Sequence, residues 1–225
     1  DFDSCSPAIQ HLVGECPSDK GMNNLRVALE NGTPMTIFGD RSVKDRKGAH
    51  ATRAYTSDEY LEESPFADSG AVTSGDPVSI TSLRSETSSA LSGLYLIWLA
   101  SDYYEVPAVA PLRFIYDNKE CLRRLDTLPD FETVADPMAT DYDIWAEMSR
   151  LYQKLQVEIK TTHVKGHQDD GTDEADLSRE AQINIVMDAK ASAMRESHHP
   201  TPLMPVFQSN RASLFIGNSL VADGM

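Results

Sequence analysis

Met35-Thr36-Ile37-Phe38-Gly39-Asp40 and Leu112-Arg113-Phe114-Ile115-Tyr116-Asp117 are two apolar, β-prone runs that each close on an aspartate. Short runs of this kind read as buried strands. Between them, Ser82 to Tyr103 carries Leu83, Glu86, Ala90, Leu94, Ile97 and Trp98 at three- and four-residue spacing, which predicts a helix with one apolar face. A strand that follows such a helix can lie parallel to the first, so Asp40 and Asp117 are expected side by side at matching carboxyl ends. Open α/β sheets bind ligands at that edge. Glu86 falls on the helix's apolar stripe, where a lone carboxylate is costly to desolvate without a partner or a metal. The alternative is a first-turn acid at the stripe's edge, favoured by the helix dipole.

Working outward, Lys47 to Ser57 and Phe66 to Thr73 read as weaker strands that form an antiparallel meander with the first, which runs over Pro34 to Val43. Asn118 to Leu125 reads as a helix, and Asp126 to Asp143, acidic and with two prolines, as a loop. Tyr142 to Leu155 places Trp145, Met148, Leu151 and Leu155 at helical spacing, and Val157 to Val164 alternates as a strand. After a Gly-Asp-rich loop over 166 to 176, Ser178 to Arg195 predicts a last helix capped by Ser178, with Asn184 and Asp188 one turn apart on one face. The fold class is therefore α/β: a five-stranded mixed sheet, its first three strands antiparallel, flanked by helices. Residues 1–32, rich in Ser, Pro, Gly and Asp, read as a leader or linker closed by a helical turn at Leu25 to Leu29. Residues 33–196 form the main domain. Residues 197–225 are a C-terminal extension, with a break at Pro200 to Pro205 and a small hairpin at Ala212 to Val221 around Gly217-Asn218.

A net charge of −15 argues against a protein that coats nucleic acid generally, because phosphate contacts are made largely by Lys and Arg. It leaves room for a local basic surface, and the one dense basic stretch is Lys44, Arg46, Lys47 and Arg53. A charged hairpin of this sort is as readily explained as a solvated loop. The longest apolar run, Leu94 to Ala100, is too short to span a bilayer, so no membrane partner is expected. Three cysteines, Cys5, Cys16 and Cys121, match neither an even disulfide framework nor a paired zinc pattern, and no secretory signal is visible. An intracellular setting, cytoplasm or nucleus, is the expectation.

These residues resemble a known family, the ribonuclease H domains, and most closely those attached to reverse transcriptases of retroelements. Phe38-Gly-Asp40-Arg-Ser42 resembles the family's first-strand Asp-Gly-Ser motif, and Arg84-Ser-Glu86 the Arg-x-Glu that opens its first helix. Ile115-Tyr-Asp117-Asn118 resembles its second acidic strand end; His163-Val-Lys-Gly-His167 and Asn184-x-x-x-Asp188-Ala-x-Ala191 resemble its closing loop and helix. The match spans about residues 33 to 196. It implies hydrolysis of the RNA strand of RNA/DNA hybrids by two Mg²⁺ ions, with Mn²⁺ as a substitute. By the same resemblance Asp40 bridges both ions, Glu86 and Asp117 complete the leaving-group side, and Asp188 holds the ion that activates water. His167 moves protons or aids product release. Ser42, Asn118 and Asn184 are the candidates for contacts to the nucleic-acid backbone, Arg41 at the family's glycine position either adds a phosphate contact or alters the geometry, and a polymerase domain of the same polyprotein is the implied partner. Two departures stand out: Arg41 replaces the usual glycine, and Met187 replaces the usual small residue before Asp188.

Other readings compete. His163 and His167 have the spacing of a zinc pair, but straddle a strand end and a glycine, where that spacing does not align two imidazoles. An exonuclease of the Asp-x-Glu kind would want a glutamate where Ser42 stands. A transposase-like triad would end in a glutamate, and Glu180 lacks the companions that frame Asp188. The rival of a different class is an inactive connector or nucleic-acid-binding module of the same fold. If the acids do converge, like-charge repulsion is expected to raise the pKa of Asp40 or Asp117.

Overall fold

The structure, a computed structural model, describes residues 2–56, 65–75, 80–136, 139, 141–168, 171–197, 214–216 and 219–221. Its main sheet contains β1 (Met35–Lys44), β2 (Lys47–Thr56), β3 (Ala67–Val72), β4 (Leu112–Tyr116) and β5 (Ile159–His163), in the order β3-β2-β1-β4-β5. The first three strands are antiparallel, and β4 and β5 run parallel to β1, as the apolar runs and the intervening helix require. The β1–β2 hairpin turns on Asp45 and Arg46, both at positive φ (51° and 61°), the twist that a two-residue connection between strands demands.

Alternation along β1 separates two faces. On one, α3 (Ser82–Tyr104), capped by the Thr81 hydroxyl, lies unusually close to the strand. A Cβ on Gly39 would fall 1.9 Å from Ser89 Oγ and 2.6 Å from the Tyr116 hydroxyl, and one on Gly93 would fall 2.7 Å from Ile37 Cγ2. Those glycines set the depth at which the helix seats. On the other face, α7 (Arg179–Glu196), capped by Ser178, packs Ile183, Met187 and Ala191 on Phe38, Ala51, Tyr55 and Ile115. Each fully buried large apolar side chain here contributes about 1.5–3 kcal/mol. Met187 has no exposed surface, so the bulky residue before Asp188 is core packing.

The stretch expected to be a leader is helical and built into the core. α1 (Pro7–Val13) and α2 (Asp19–Glu30) are capped by Ser6 and Ser18. Their Leu12, Val13, Leu25, Ala28 and Leu29 join Ile37, Leu94 and Phe114 in one cluster. The serines that suggested a linker are the caps that start the helices. His11 Nε2 lies 2.7 Å from the Val72 carbonyl and the fully buried His50 Nε2 lies 3.0 Å from that of Leu12, tying α1 to the meander. Burial holds the His50 pKa down at about 4, so this ring is neutral.

The acidic stretch expected as a loop is partly helical, since α4 (Lys119–Asp126) leads into a single 3₁₀ turn at Leu128–Asp130 and α5 (Phe131–Val134), before α6 (Tyr142–Leu155). The C-terminal hairpin is present as β6 (Leu214–Ile216) paired antiparallel with β7 (Ser219–Val221). Gly217-Asn218 and the expected break at Pro200 to Pro205 lie outside the described residues. Among the described residues no helix is long and apolar enough to cross a membrane, and all three cysteines are free.

Candidate metal centre

β1 outruns β4, and the site forms in the step. The last parallel pair is Phe38 with Ile115, and two residues further along stand Asp40, still on β1, and Asp117, just past the end of β4. Because side chains alternate, both acids share the side of Phe38 and Ile115, the face that α7 covers. Glu86, in the second turn of α3, reaches the same point from the opposite face. One carboxylate oxygen from each of Asp40, Glu86 and Asp117 lies within 4.8 Å of the others. This trio is the one convergent group of His, Cys, Asp or Glu among the described residues, so the His163/His167 pair forms no comparable centre.

Asp40 is buried and well held: Oδ1 accepts from the Arg41 backbone N–H at 2.7 Å and Oδ2 from Asn184 Nδ2 at 3.0 Å. Glu86 has no exposed surface, and neither of its oxygens accepts a hydrogen bond; buried Asp117 Oδ1 is likewise unpartnered. Asp117 Oδ2 faces Gly166, where a Cβ would approach to 2.5 Å, so a larger residue there would push the Asp117 carboxylate aside. Desolvation, then the neighbouring Asp117 charge, pushes the Asp40 pKa up from its ordinary 3.8 to about 7. Desolvation, followed by the charges of Asp40 and Asp117, raises that of Glu86 well above the usual carboxylate range. The repulsion expected from the sequence is present at Asp40.

Buried carboxylates with open lone pairs are costly, by several kcal/mol for each uncompensated charge. Converging hard oxygen donors, with Glu86 Oε1 and Oε2 and Asp117 Oδ1 unpartnered, fit a small divalent cation of the Mg²⁺ type, and offer no sulfur or imidazole for softer metals.

The remaining candidates are dispersed around this trio. Asp188 lies one helical turn beyond Asn184, half-buried and outside the converging group, although its charge contributes to the rise at Asp40. His167, exposed at φ 52°, follows Gly166 in the loop that closes on Asp117. Asn118 caps α4, its Oδ1 accepting from the N–H groups of Glu120 and Cys121. Ser42 is buried against α7, within 3.0 Å of Ser192 Oγ and accepting from Arg195 Nη1 at 2.8 Å. Asn184 is spent on Asp40. Arg41 places Nη1 3.8 Å from Asp40 Oδ1 and Nε 3.7 Å from Glu86 Oε2.

Two features escaped the sequence reading. His163 Nε2 lies 3.1 Å from the Asp117 carbonyl, bracing the strand end that carries the acid. Arg84, of the Arg-x-Glu motif, is buried and makes a bidentate pair with Asp143 at 2.8 and 2.9 Å, a structural role. Of the basic stretch, Lys44, Arg46 and Lys47 are exposed, while Arg53 pairs with Asp68 on β3.

No protein-family model and no curated protein matches this sequence. Solved structures do. Prototype foamy virus protease-reverse transcriptase aligns over 73% of this chain at 13% identity with a TM-score of 0.53, and the chain spans 21% of its length. The N-terminal RNase H domain of a Mycobacterium tuberculosis protein aligns over 71% of this chain and 99% of its own at 14% identity, TM-score 0.42. A ribonuclease H1 in complex with an RNA/DNA hybrid aligns over 62% and 91% at 11% identity, TM-score 0.46. The sheet order is the five-stranded mixed α/β arrangement expected of a ribonuclease H-like fold, and the foamy virus match shows that the chain shares its fold with part of that protein.

Proposed function

We propose that this chain is a metal-dependent endonuclease that hydrolyses the RNA strand of RNA/DNA hybrids, working beside a polymerase domain of the same polyprotein inside the cell. The observation that carries this reading is the convergence of Asp40, Glu86 and Asp117, with buried, unpartnered oxygens, at the β1/β4 step of a ribonuclease H-like fold. These three, with Asp188 beside them, would hold two Mg²⁺ ions, which supply Lewis-acid charge neutralisation at the scissile phosphate.

The chain's own residues prepare that site. Asn184 and the Arg41 amide fix both oxygens of Asp40, so its orientation is set before any ion arrives. Asp40 and Glu86, both with raised pKa, must release protons to serve as ligands. Exposed His167, which follows the Gly166 that faces Asp117, would carry a proton between the site and solvent. A hybrid is distinguished from duplex DNA by its RNA 2′-hydroxyls and minor-groove shape. Arg41 against two of the acids favours a second reading, an inactive connector of the same fold.

The deciding experiment is cleavage of a labelled RNA/DNA hybrid in Mg²⁺, with duplex RNA, duplex DNA and Asp40→Asn run alongside. Hybrid-specific cutting of RNA that vanishes in the variant is expected. No cutting by folded protein, in Mn²⁺ as well, would replace the nuclease with the connector.

A further inference from the structure

Glu86 is the most deeply buried acid of the cage and has no hydrogen-bond donor, yet one cation stands near it. The Arg41 guanidinium lies 3.7 Å from Glu86 Oε2 and 3.8 Å from Asp40 Oδ1, too far for hydrogen bonds but close enough for strong attraction where water is excluded. Its Nε is buried and bonds to nothing, so the group is held there by charge. The side chain nevertheless keeps 26% of its surface exposed and leaves β1 on the α3 side, next to the Asp40 that faces α7. A guanidinium in this position is attracted inward and has an open path outward.

We propose that Arg41 is a tethered counter-ion that neutralises the acid cage in the metal-free protein and is exchanged for the divalent ions when they bind. This rests on the metal-site reading above and adds to it a competitor within the same chain. Two like charges cannot share so small a space, so ion entry drives the guanidinium to the rim. There its planar fork suits a phosphate oxygen pair of the substrate strand. Metal binding and substrate binding are thereby linked through one side chain. The ions free the group that grips the backbone, and without them it is occupied with Glu86 and Asp40.

The test uses the whole chain and needs no catalysis. Mn²⁺ affinity is measured by calorimetry at pH 8, and melting is followed in EDTA, for the wild type, Arg41→Gln and Arg41→Lys. Arg41→Gln is expected to bind Mn²⁺ about tenfold more tightly, because the competitor is gone, and to melt below the wild type in EDTA, because the cage has lost its counter-charge. Arg41→Lys, which keeps the charge, should stay near the wild type in both. Unchanged Mn²⁺ affinity in Arg41→Gln, or a melting temperature in EDTA at or above the wild type, would overturn the exchange. Absence of Mn²⁺ binding by both the wild type and Arg41→Gln would overturn the metal reading itself, and the exchange with it.

Discussion

Glu86 and Glu147 are both fully buried glutamates on neighbouring helices, and they live in opposite circumstances. Glu147 on α6 accepts from Arg150 Nε at 2.9 Å, from Arg150 Nη2 at 2.5 Å and from the Tyr95 hydroxyl. Arg150 in turn stacks near Trp98. The same economy holds nearby, where Arg84 grips Asp143 and buried Arg124 pairs with Asp141 over the Trp145 ring. Glu86 has only a guanidinium beyond hydrogen-bond range and two acids that repel it. Each acid buried on the α6 side has a hydrogen-bonded arginine, even though Asp141 Oδ1 and Arg150 Nη1 keep no partner; Glu86 at the β1/β4 step has no hydrogen bond at all. That difference separates structure from function in a chain whose net charge of −15 makes acids uninformative by number.

The contrast can be broken most directly by removing each glutamate in turn. Glu147→Ala removes the carboxylate that neutralises Arg150, leaving that guanidinium only the Tyr95 hydroxyl and the Trp98 ring, and should cost about 3–5 kcal/mol of stability in denaturant unfolding. Glu86→Gln should leave the metal-free protein as stable as the wild type or more so. Equal losses in the two variants would erase the distinction.

A second, smaller effect is a pH dependence with an unusual sign. The folded-state pKa of Asp40, about 7, lies above its ordinary 3.8, so the folded chain keeps a proton that the unfolded chain releases. That stabilising contribution is complete below about pH 4 and is lost as pH rises through 7; Glu86 acts in the same direction. In EDTA the melting temperature should therefore fall across this window. Asp40→Asn should flatten the slope, and saturating Mn²⁺ should oppose it. A variant with the wild-type slope would show that another group titrates. The smallest effect concerns Asn184, whose amide holds Asp40 Oδ2. Asn184→Ala should lower Mn²⁺ affinity about 10- to 100-fold while the fold persists, and calorimetry on the variant decides it. Unaltered affinity would mean that Asp40 needs no such support.

The sheet was legible because Ile37, Phe38, Phe114 and Ile115 sit in short apolar runs, and α3 because its apolar residues recur at helical spacing. Glu86 was singled out for the physical reason that makes it unusual, a carboxylate on an apolar stripe. α1 and α2 were obscured because they are short and bounded by Ser, Pro and Gly. Only tertiary contacts such as His50 with the Leu12 carbonyl reveal that they belong to the core. The acids of the stretch from Asp126 to Asp143 looked like solvent-exposed charge, yet Asp141 and Asp143 neutralise buried arginines distant in sequence. Pairwise ion matches of that kind carry no local pattern. Ser42 and Asn184 were chosen for contacts outside the protein; the structure gives both partners within it, since each faces α7 or sits on it.

The Asn184–Asp40 hydrogen bond joins residues 144 positions apart. A chain emerging from the ribosome makes β1 early and α7 late, and until α7 arrives Phe38 and Ile115 lack their cover and Asp40 lacks its clamp. Contacts between residues this far apart in sequence carry a high cost in chain entropy before they form. A chain cut before α7 would therefore still carry all three converging acids, with Asp40 deprived of the amide that orients it.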